Sequence, residues 1–350
     1  MNVAVIGAGA IAEYHIIGYK KNPDCNVKAI ADVNISLAQE RANTYEIPDV
    51  YSDYKELLKD DKIDAVSVAT PTFTHKDIVI AALKSGKHVL CEKPPAMNAD
   101  DVRECEAAAK ENGKLLMFGF CTRFRNQIRY LKKYIDDGKM GKILSAECGR
   151  VARCTASGGW YSRREKGGGF LMDAAIHELD NALYLMGYPK PVAVLAGQTF
   201  ANGDLYEKLN SAKSGWTSKD TSNYKRNIES AISGYVTFDN GATLFVKAAS
   251  VLNSIKTGAW VDVSGEKAGA RLEPELKDSL RLLELTESNC FVEPQLAIEN
   301  SDFFIECVNH FVDCCIRDEE CICKVSEAIA LMEIINAIYK SADTGKPVIF

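Results

Sequence analysis

The chain has 350 residues, 47% hydrophobic and 26% charged, with a formal net charge of −6. This is the composition of a globular protein long enough for two cores. The absence of any basic run speaks against a nucleic-acid partner, and no apolar stretch is long enough to cross a membrane. The sequence opens directly on a strand, which leaves no room for an export signal, so the twelve cysteines read as free thiols in a reducing cytoplasm.

Residues 3–6 (Val-Ala-Val-Ile) form an unbroken apolar run, the pattern of a strand covered on both faces of a parallel sheet. The turn that follows reads Gly7-x-Gly9-x-x-Ala12 and leads into a helix over 10–20. Gly7 permits the tight turn, Gly9 lets the backbone approach a pyrophosphate, and Ala12 lets helix and strand pack closely. The free amides at the helix start, around Ala10 and Ile11, supply an anion site. A second strand, 27–31, ends in Asp32, the position from which an acid bonds ribose hydroxyls and repels a 2′-phosphate. The predicted cofactor is therefore NAD rather than NADP.

Helices over 36–45 and 54–59, a strand over 65–69, and a helix capped near Thr74 and ending near Gly86 come next. A strand over 88–91, a helix over 99–112 and a strand over 115–118 complete a β-α repetition. The fold class is α/β, with residues 1–121 forming a doubly wound Rossmann domain whose ligand lies at the carboxyl ends of the strands. Cys91-Glu92-Lys93-Pro94 sits at such an end, where Lys93 can donate to a substrate hydroxyl and stabilise a developing alkoxide.

Residues 122–350 read as an α+β domain with a large, open, mostly antiparallel sheet. A helix over 126–136 precedes strands over 143–151, 192–200, 231–238, 242–249, 259–264 and 280–285, with Asp239-Asn240-Gly241 as a hairpin turn. Helices over 301–317 and 326–343 close the chain. With few helices for cover, one sheet face is left to water or to a second subunit. The polar segment 201–227 is long enough to be read as a substrate-side or inter-subunit segment. Gly167-Gly168-Gly169 can bring backbone close to a ligand, and Asp173 and His177, four apart, are expected on one helical face where the carboxylate orients the imidazole. Cys307, Cys314, Cys315, Cys321 and Cys323, with His310 among them, lack C-x-x-C spacing. Several share a helical apolar face, so they are expected to be small core residues, and no metal site is expected.

Taken together, Gly7-x-Gly9-x-x-Ala12, Thr70-Pro71 with His75, Glu92-Lys93-Pro94 and the glycine loop leading to Asp173-x-x-x-His177 resemble the Gfo/Idh/MocA oxidoreductases over essentially the whole chain. The hairpin over 237–242 is similar to that family's central hairpin. The resemblance implies NAD(P)-dependent oxidation or reduction of sugars and polyols, with the open sheet used to build a homodimer or homotetramer. It implies that Lys93 contacts substrate and the nicotinamide end of the cofactor, and that His177 exchanges the hydroxyl proton with Asp173 behind it. Thr70, Pro71, His75 and Glu92 would line the nicotinamide half. Trp160 and Tyr161 resemble cleft residues, an aromatic there being able to stack on a sugar ring, although Tyr161 stands where an arginine is common. Arg123 is a further substrate candidate, and His15 is read as a packing residue.

Three functions fit these residues. The leading one is an NAD-dependent dehydrogenase acting on a secondary hydroxyl of a sugar, glycoside or cyclitol. A rival is redox-neutral hydrolysis, elimination or epimerisation with retained NAD. A third is a non-catalytic regulator, which the presence of Lys93, Asp173 and His177 disfavours.

Overall fold

A computed structural model describes residues 1–153, 159–200, 226–276, 279–286, 288 and 290–350. The chain forms two compact units, Met1–Phe124 with Ser301–Ile329, and Arg125–Asn300 with Ala330–Phe350. A division at residue 121 leaves 301–329 with the second domain, whereas its contacts place it with the first.

The first unit is built on a parallel sheet of β1 (Asn2–Ile6), β2 (Asn26–Ala31), β3 (Asp49–Tyr51), β4 (Ala65–Val68), β5 (His88–Glu92) and β6 (Leu116–Gly119), in the order β3-β2-β1-β4-β5-β6. The helices are α1 (Ala10–Lys21), α2 (Ile35–Tyr45), α3 (Tyr54–Leu57), α4 (His75–Lys84) and α5 (Ala99–Asn112). Val3, Ala4 and Val5 have no exposure, the state expected of a central strand covered on both faces. The strand order reverses between β1 and β4, and a doubly wound sheet holds its ligand beyond the carboxyl ends at that reversal. The Phe303–Ile316 helix packs on α1. Gly18 of α1 has no room for a side chain, since a Cβ there would lie 2.9 Å from Val308. Tyr14 and Phe304 pack ring to ring beside it, their centroids 4.5 Å apart.

The second unit holds a nine-stranded sheet of β7 (Ile143–Val151), β8 (Pro191–Thr199), β9 (Ala231–Phe238), β10 (Thr243–Ala249), β11 (Gly258–Gly265), β12 (Ala268–Leu272), β13 (Leu280–Leu285), β14 (Phe291–Val292) and β15 (Val348–Ile349). Only the β7–β10 pair is parallel. Its helices are α6 (Asn126–Asp136), α7 (Arg164–Gly167), α8 (Phe170–Asp173), α9 (Ile176–Met186) and all but the first turn of the Val325–Thr344 helix. The β9–β10 hairpin turns at Asp239-Asn240-Gly241 as read from the sequence, closed by the Phe238 amide on the Ala242 carbonyl at 3.0 Å. Alternation puts Cys148, Val236, Leu244, Val246 and Val261 in the core, beneath α9 and the last helix. On the opposite face Leu195, Tyr235 and Phe245 stand opposite one another in register, 53%, 47% and 36% exposed.

Residues 201–225 lie outside the described residues, and with them the role expected for 201–227. Among the described residues no helix is long and apolar enough to cross a membrane.

Candidate active site

In the first unit the glycine turn has the shape its sequence requires. Gly7 adopts φ +104°, and a Cβ on it would come 2.4 Å from the Ala69 carbonyl oxygen, so neither the backbone angle nor the space admits another residue. Gly9 caps α1 without a side-chain hydrogen bond, and a Cβ there would meet nothing within 4 Å. This leaves open space over the amide end of a twelve-residue helix. Ala12 is fully buried against the sheet. Asp32, at the end of β2, turns its carboxylate back to this turn, accepting from the Ala8 amide at 2.8 Å and the Asn34 amide at 2.7 Å. A turn that excludes side chains, an uncapped helix start and an acid beside both are the features a dinucleotide needs.

The next two strand ends are tied together by His75. Its Nδ1 lies 2.8 Å from the Pro94 carbonyl and its Nε2 lies 2.8 Å from the Thr70 carbonyl, with only 1% of the residue exposed. Each ring nitrogen thus faces a backbone carbonyl, and a neutral imidazole donates to one of the two. It lies between Thr70-Pro71, after β4, and Pro94, after β5. Burial pushes its pKa below the ordinary value, outweighing the two carbonyls.

Glu92 is also buried, with one oxygen 2.8 Å from His15 Nε2 and the other accepting from the Lys93 amide at 3.2 Å. His15 Nδ1 lies 3.0 Å from Ser67 Oγ, which in turn lies 2.7 Å from the Tyr19 hydroxyl. His15 is thus more than a packing residue, since it fixes the carboxylate that precedes Lys93. The only sequence signal for this network was a serine inside the apolar run of β4. Lys93 itself is half-buried.

Arg123 lies in the interior of the first unit. It is completely buried, pairs with Glu327, donates to the Ile322 carbonyl at 2.8 Å and lies over the Phe120 ring. Its charge is paired within the unit by Glu327.

The second unit gathers the remaining candidates around the glycine loop. Trp160 and Tyr161, half-buried in a 3₁₀ turn over Gly159–Ser162, stack with centroids 3.7 Å apart. A Cβ on Gly167 would lie 3.1 Å from Tyr161 Cα. Gly169, at φ +108°, faces Tyr339 and Glu229, and a Cβ would stand 2.3 Å from the tyrosine hydroxyl and 2.5 Å from Glu229 Oε2. The loop therefore needs glycine because of what packs behind it, a reason the sequence did not reveal. Glu229, 1% exposed, accepts from the Leu171 amide at 3.0 Å and the Tyr339 hydroxyl at 2.8 Å. Burial raises its pKa.

Asp173 and His177 do not share one helix. Asp173 ends α8, and His177 is the second residue of α9 after the two-residue turn Ala174-Ala175. The start of α9 is anchored by buried Glu178, which takes Arg150 through two contacts of 2.7 and 3.1 Å. Burial disfavours the Arg150 charge, but Glu178, Glu275 and Asp173 together hold its pKa above the ordinary value. Arg150 and Glu178 were not singled out in the sequence, where they carry no local motif.

Residues 1–120 match the family described as oxidoreductase family, NAD-binding Rossmann fold, and residues 132–350 match its C-terminal alpha/beta domain. D-glucoside 3-dehydrogenase of Escherichia coli (strain K12) is 30% identical over 350 residues, 99% of this chain and 96% of that protein. The 2,7-anhydro-N-acetylneuraminate hydratase of Mediterraneibacter gnavus is 37% identical over 163 residues, 45% of this chain and 43% of that protein. Among solved structures, levoglucosan dehydrogenase in complex with NADH superposes with a TM-score of 0.85 at 23% identity, covering 100% of this chain and 98% of the other, which shows the fold.

Proposed function

The chain belongs to the Gfo/Idh/MocA oxidoreductase family, and on that premise we propose that it oxidises a secondary hydroxyl of a sugar, glycoside or cyclitol, or reduces the matching ketone. It is an NAD-binding oxidoreductase. The observation that carries the redox reading is the Asp32 carboxylate turned onto the glycine turn. The choice of substrate class is supported by the full-length similarity to a glucoside dehydrogenase.

Bound NAD supplies the hydride acceptor or donor. Asp32 would take the ribose hydroxyls, the amides from Gly9 to Ile11 would meet the pyrophosphate, and Thr70, Pro71 and Glu92 would border the nicotinamide half. Lys93 donates to the substrate hydroxyl and stabilises its alkoxide character. His177 takes the proton of that hydroxyl, and Asp173 holds the imidazole in one tautomer. Trp160 and Tyr161 offer aromatic faces to a sugar ring.

The exposed row Leu195, Tyr235 and Phe245 supports assembly into a dimer or tetramer through the large sheet. The described cysteines, all free thiols, support a cytoplasmic setting.

The second reading is redox-neutral chemistry with retained NAD, favoured by the hydratase relative. NADH absorbance across a panel of glycosides and cyclitols tests the first reading. Mass analysis of glycosides incubated without added NAD tests the second, and product formed only there would displace the dehydrogenase.

A further inference from the structure

The cysteine-rich stretch after residue 300 was expected to be core filling, and for Cys307, at 3% exposure on the Phe303–Ile316 helix, that description holds. Three neighbouring side chains are arranged differently. His310 and Cys314 stand one turn apart on the same helix, and the turn after the helix returns Cys321 to them. One imidazole nitrogen and the two sulfurs all lie within 4.8 Å of one another. We propose that His310, Cys314 and Cys321 form a binding site for one thiophilic divalent cation, zinc by its chemistry, which staples the turn over 317–324 to the helix.

The spacing is His-x₃-Cys-x₆-Cys rather than a C-x-x-C knuckle, because the helix presents the first two ligands at i and i+4. Cys314 Sγ lies 3.4 Å from His310 Nε2. A tetrahedral zinc with Zn–S of roughly 2.3 Å and Zn–N of roughly 2.0–2.1 Å separates such atoms by about 3.5 Å. The imidazole is also in the required tautomer. The Ile322 amide donates to Nε2 at 3.1 Å, so the ring proton sits on Nδ1, which faces a Glu319 carboxylate oxygen at 3.6 Å. A carboxylate behind the far nitrogen of a ligating histidine orients the ring and raises its basicity. Metal entry requires the Ile322 amide to give up Nε2 and Cys321 Sγ to leave the Cys323 carbonyl, which it meets at 3.5 Å. Both are contacts of the one short turn that carries Cys321, the ligand of the three that is only partly buried. Two thiolates balance a divalent cation, and the three protein ligands leave a fourth position for water.

The test is an anaerobic titration of the reduced, chelator-treated full chain with Co²⁺, followed by Zn²⁺. The expected result is one equivalent bound per chain, a thiolate-to-cobalt band in the near ultraviolet, visible bands of four-coordinate intensity, and displacement by Zn²⁺. Cys314→Ser and Cys321→Ser should each weaken binding at least tenfold, Glu319→Gln about tenfold, and Cys315→Ser should leave it unchanged. Cobalt uptake without the thiolate band, or wild-type affinity in both serine variants, would overturn the proposal. So would peptide mass analysis showing that Cys314 and Cys321 form a disulfide even with Zn²⁺ present. Cys321→Ser changes a half-exposed turn residue, so its fold can be verified by circular dichroism before titration.

Discussion

His15 Nε2 lies 2.8 Å from Glu92 Oε1, with 4% and 7% of the two side chains exposed. The pair joins α1 to the end of β5, immediately before Lys93. Removing the imidazole leaves a carboxylate in the interior with one fewer hydrogen-bond partner, which costs about 1–3 kcal/mol or more for a charged group. His15→Ala should therefore lower the Tm by a few degrees. A double-mutant cycle with Glu92→Gln, followed by thermal unfolding, measures the coupling. Strictly additive single effects would show that the two side chains merely lie side by side.

Asp32 should set the choice between NAD and NADP. Its carboxylate is already oriented by the Ala8 and Asn34 amides, so the charge is fixed where the adenosine ribose would sit. Like charge against a 2′-phosphate should favour NAD by tens- to hundreds-fold, about 1–3 kcal/mol. Asp32→Ser should narrow that gap while weakening NAD binding, as titrations of both dinucleotides will report. Equal affinity of the native protein for the two would remove the role given to Asp32.

Glu229 gives a pH dependence of defined sign. Burial raises its pKa in the folded chain above the roughly 4.3 of an unfolded glutamate. Between those two values the folded state holds the extra proton. The stabilisation is complete below the unfolded value and is lost as pH rises through the folded one. A glutamine remains neutral throughout and can still accept from Leu171 and Tyr339. Glu229→Gln should therefore gain in Tm relative to the native chain as pH rises from 5 to 8. Glu229→Ala should lose stability at every pH, by about 1–3 kcal/mol for each bond left unmade. If the glutamine variant instead loses ground as pH rises, the native side chain is ionised, its charge favoured by the positive charge of Arg164.

What could be read from the sequence follows the reach of each interaction. The glycine turn, Asp32 and the apolar runs of β1, β4 and β5 are local patterns, and the structure has them at the expected residues. β3 is three half-exposed residues and β12 contains a glycine, so neither shows a periodicity worth reading. The placement of the Phe303–Ile316 helix rests on distant contacts such as Asn22 with Asn309, 287 positions away. The partners of two polar candidates are distant in the same way. His75 answers to two backbone carbonyls and Arg123 to Glu327, partners without any local signature. The break between Asp173 and His177 falls at two alanines, where neither proline nor glycine marks it.

The chemical step provides the last prediction. Oxidation of a secondary alcohol removes a proton from the hydroxyl as well as a hydride from its carbon, so a base and a stabiliser of negative charge are both required. In the proposed reaction the first role is given to His177, near the start of α9, a helix anchored by the Arg150–Glu178 pair. The second is given to Lys93, whose amide donates to Glu92 and whose neighbour Pro94 has its carbonyl 2.8 Å from His75 Nδ1. Only neutral His177 can accept the proton, so oxidation should fall at low pH while ketone reduction tolerates acid better. His177→Ala and Lys93→Ala should each lose on the order of a hundredfold or more in kcat, with NAD affinity retained. Asp173→Asn should lose less, since an amide can still orient the ring. Glu178→Gln, which loosens the anchor without touching the base, should lower kcat modestly and leave the acid limb where it was. Near-normal turnover in His177→Ala, with an unchanged acid limb, would assign the proton to another group and leave the histidine as a helix-start residue alone.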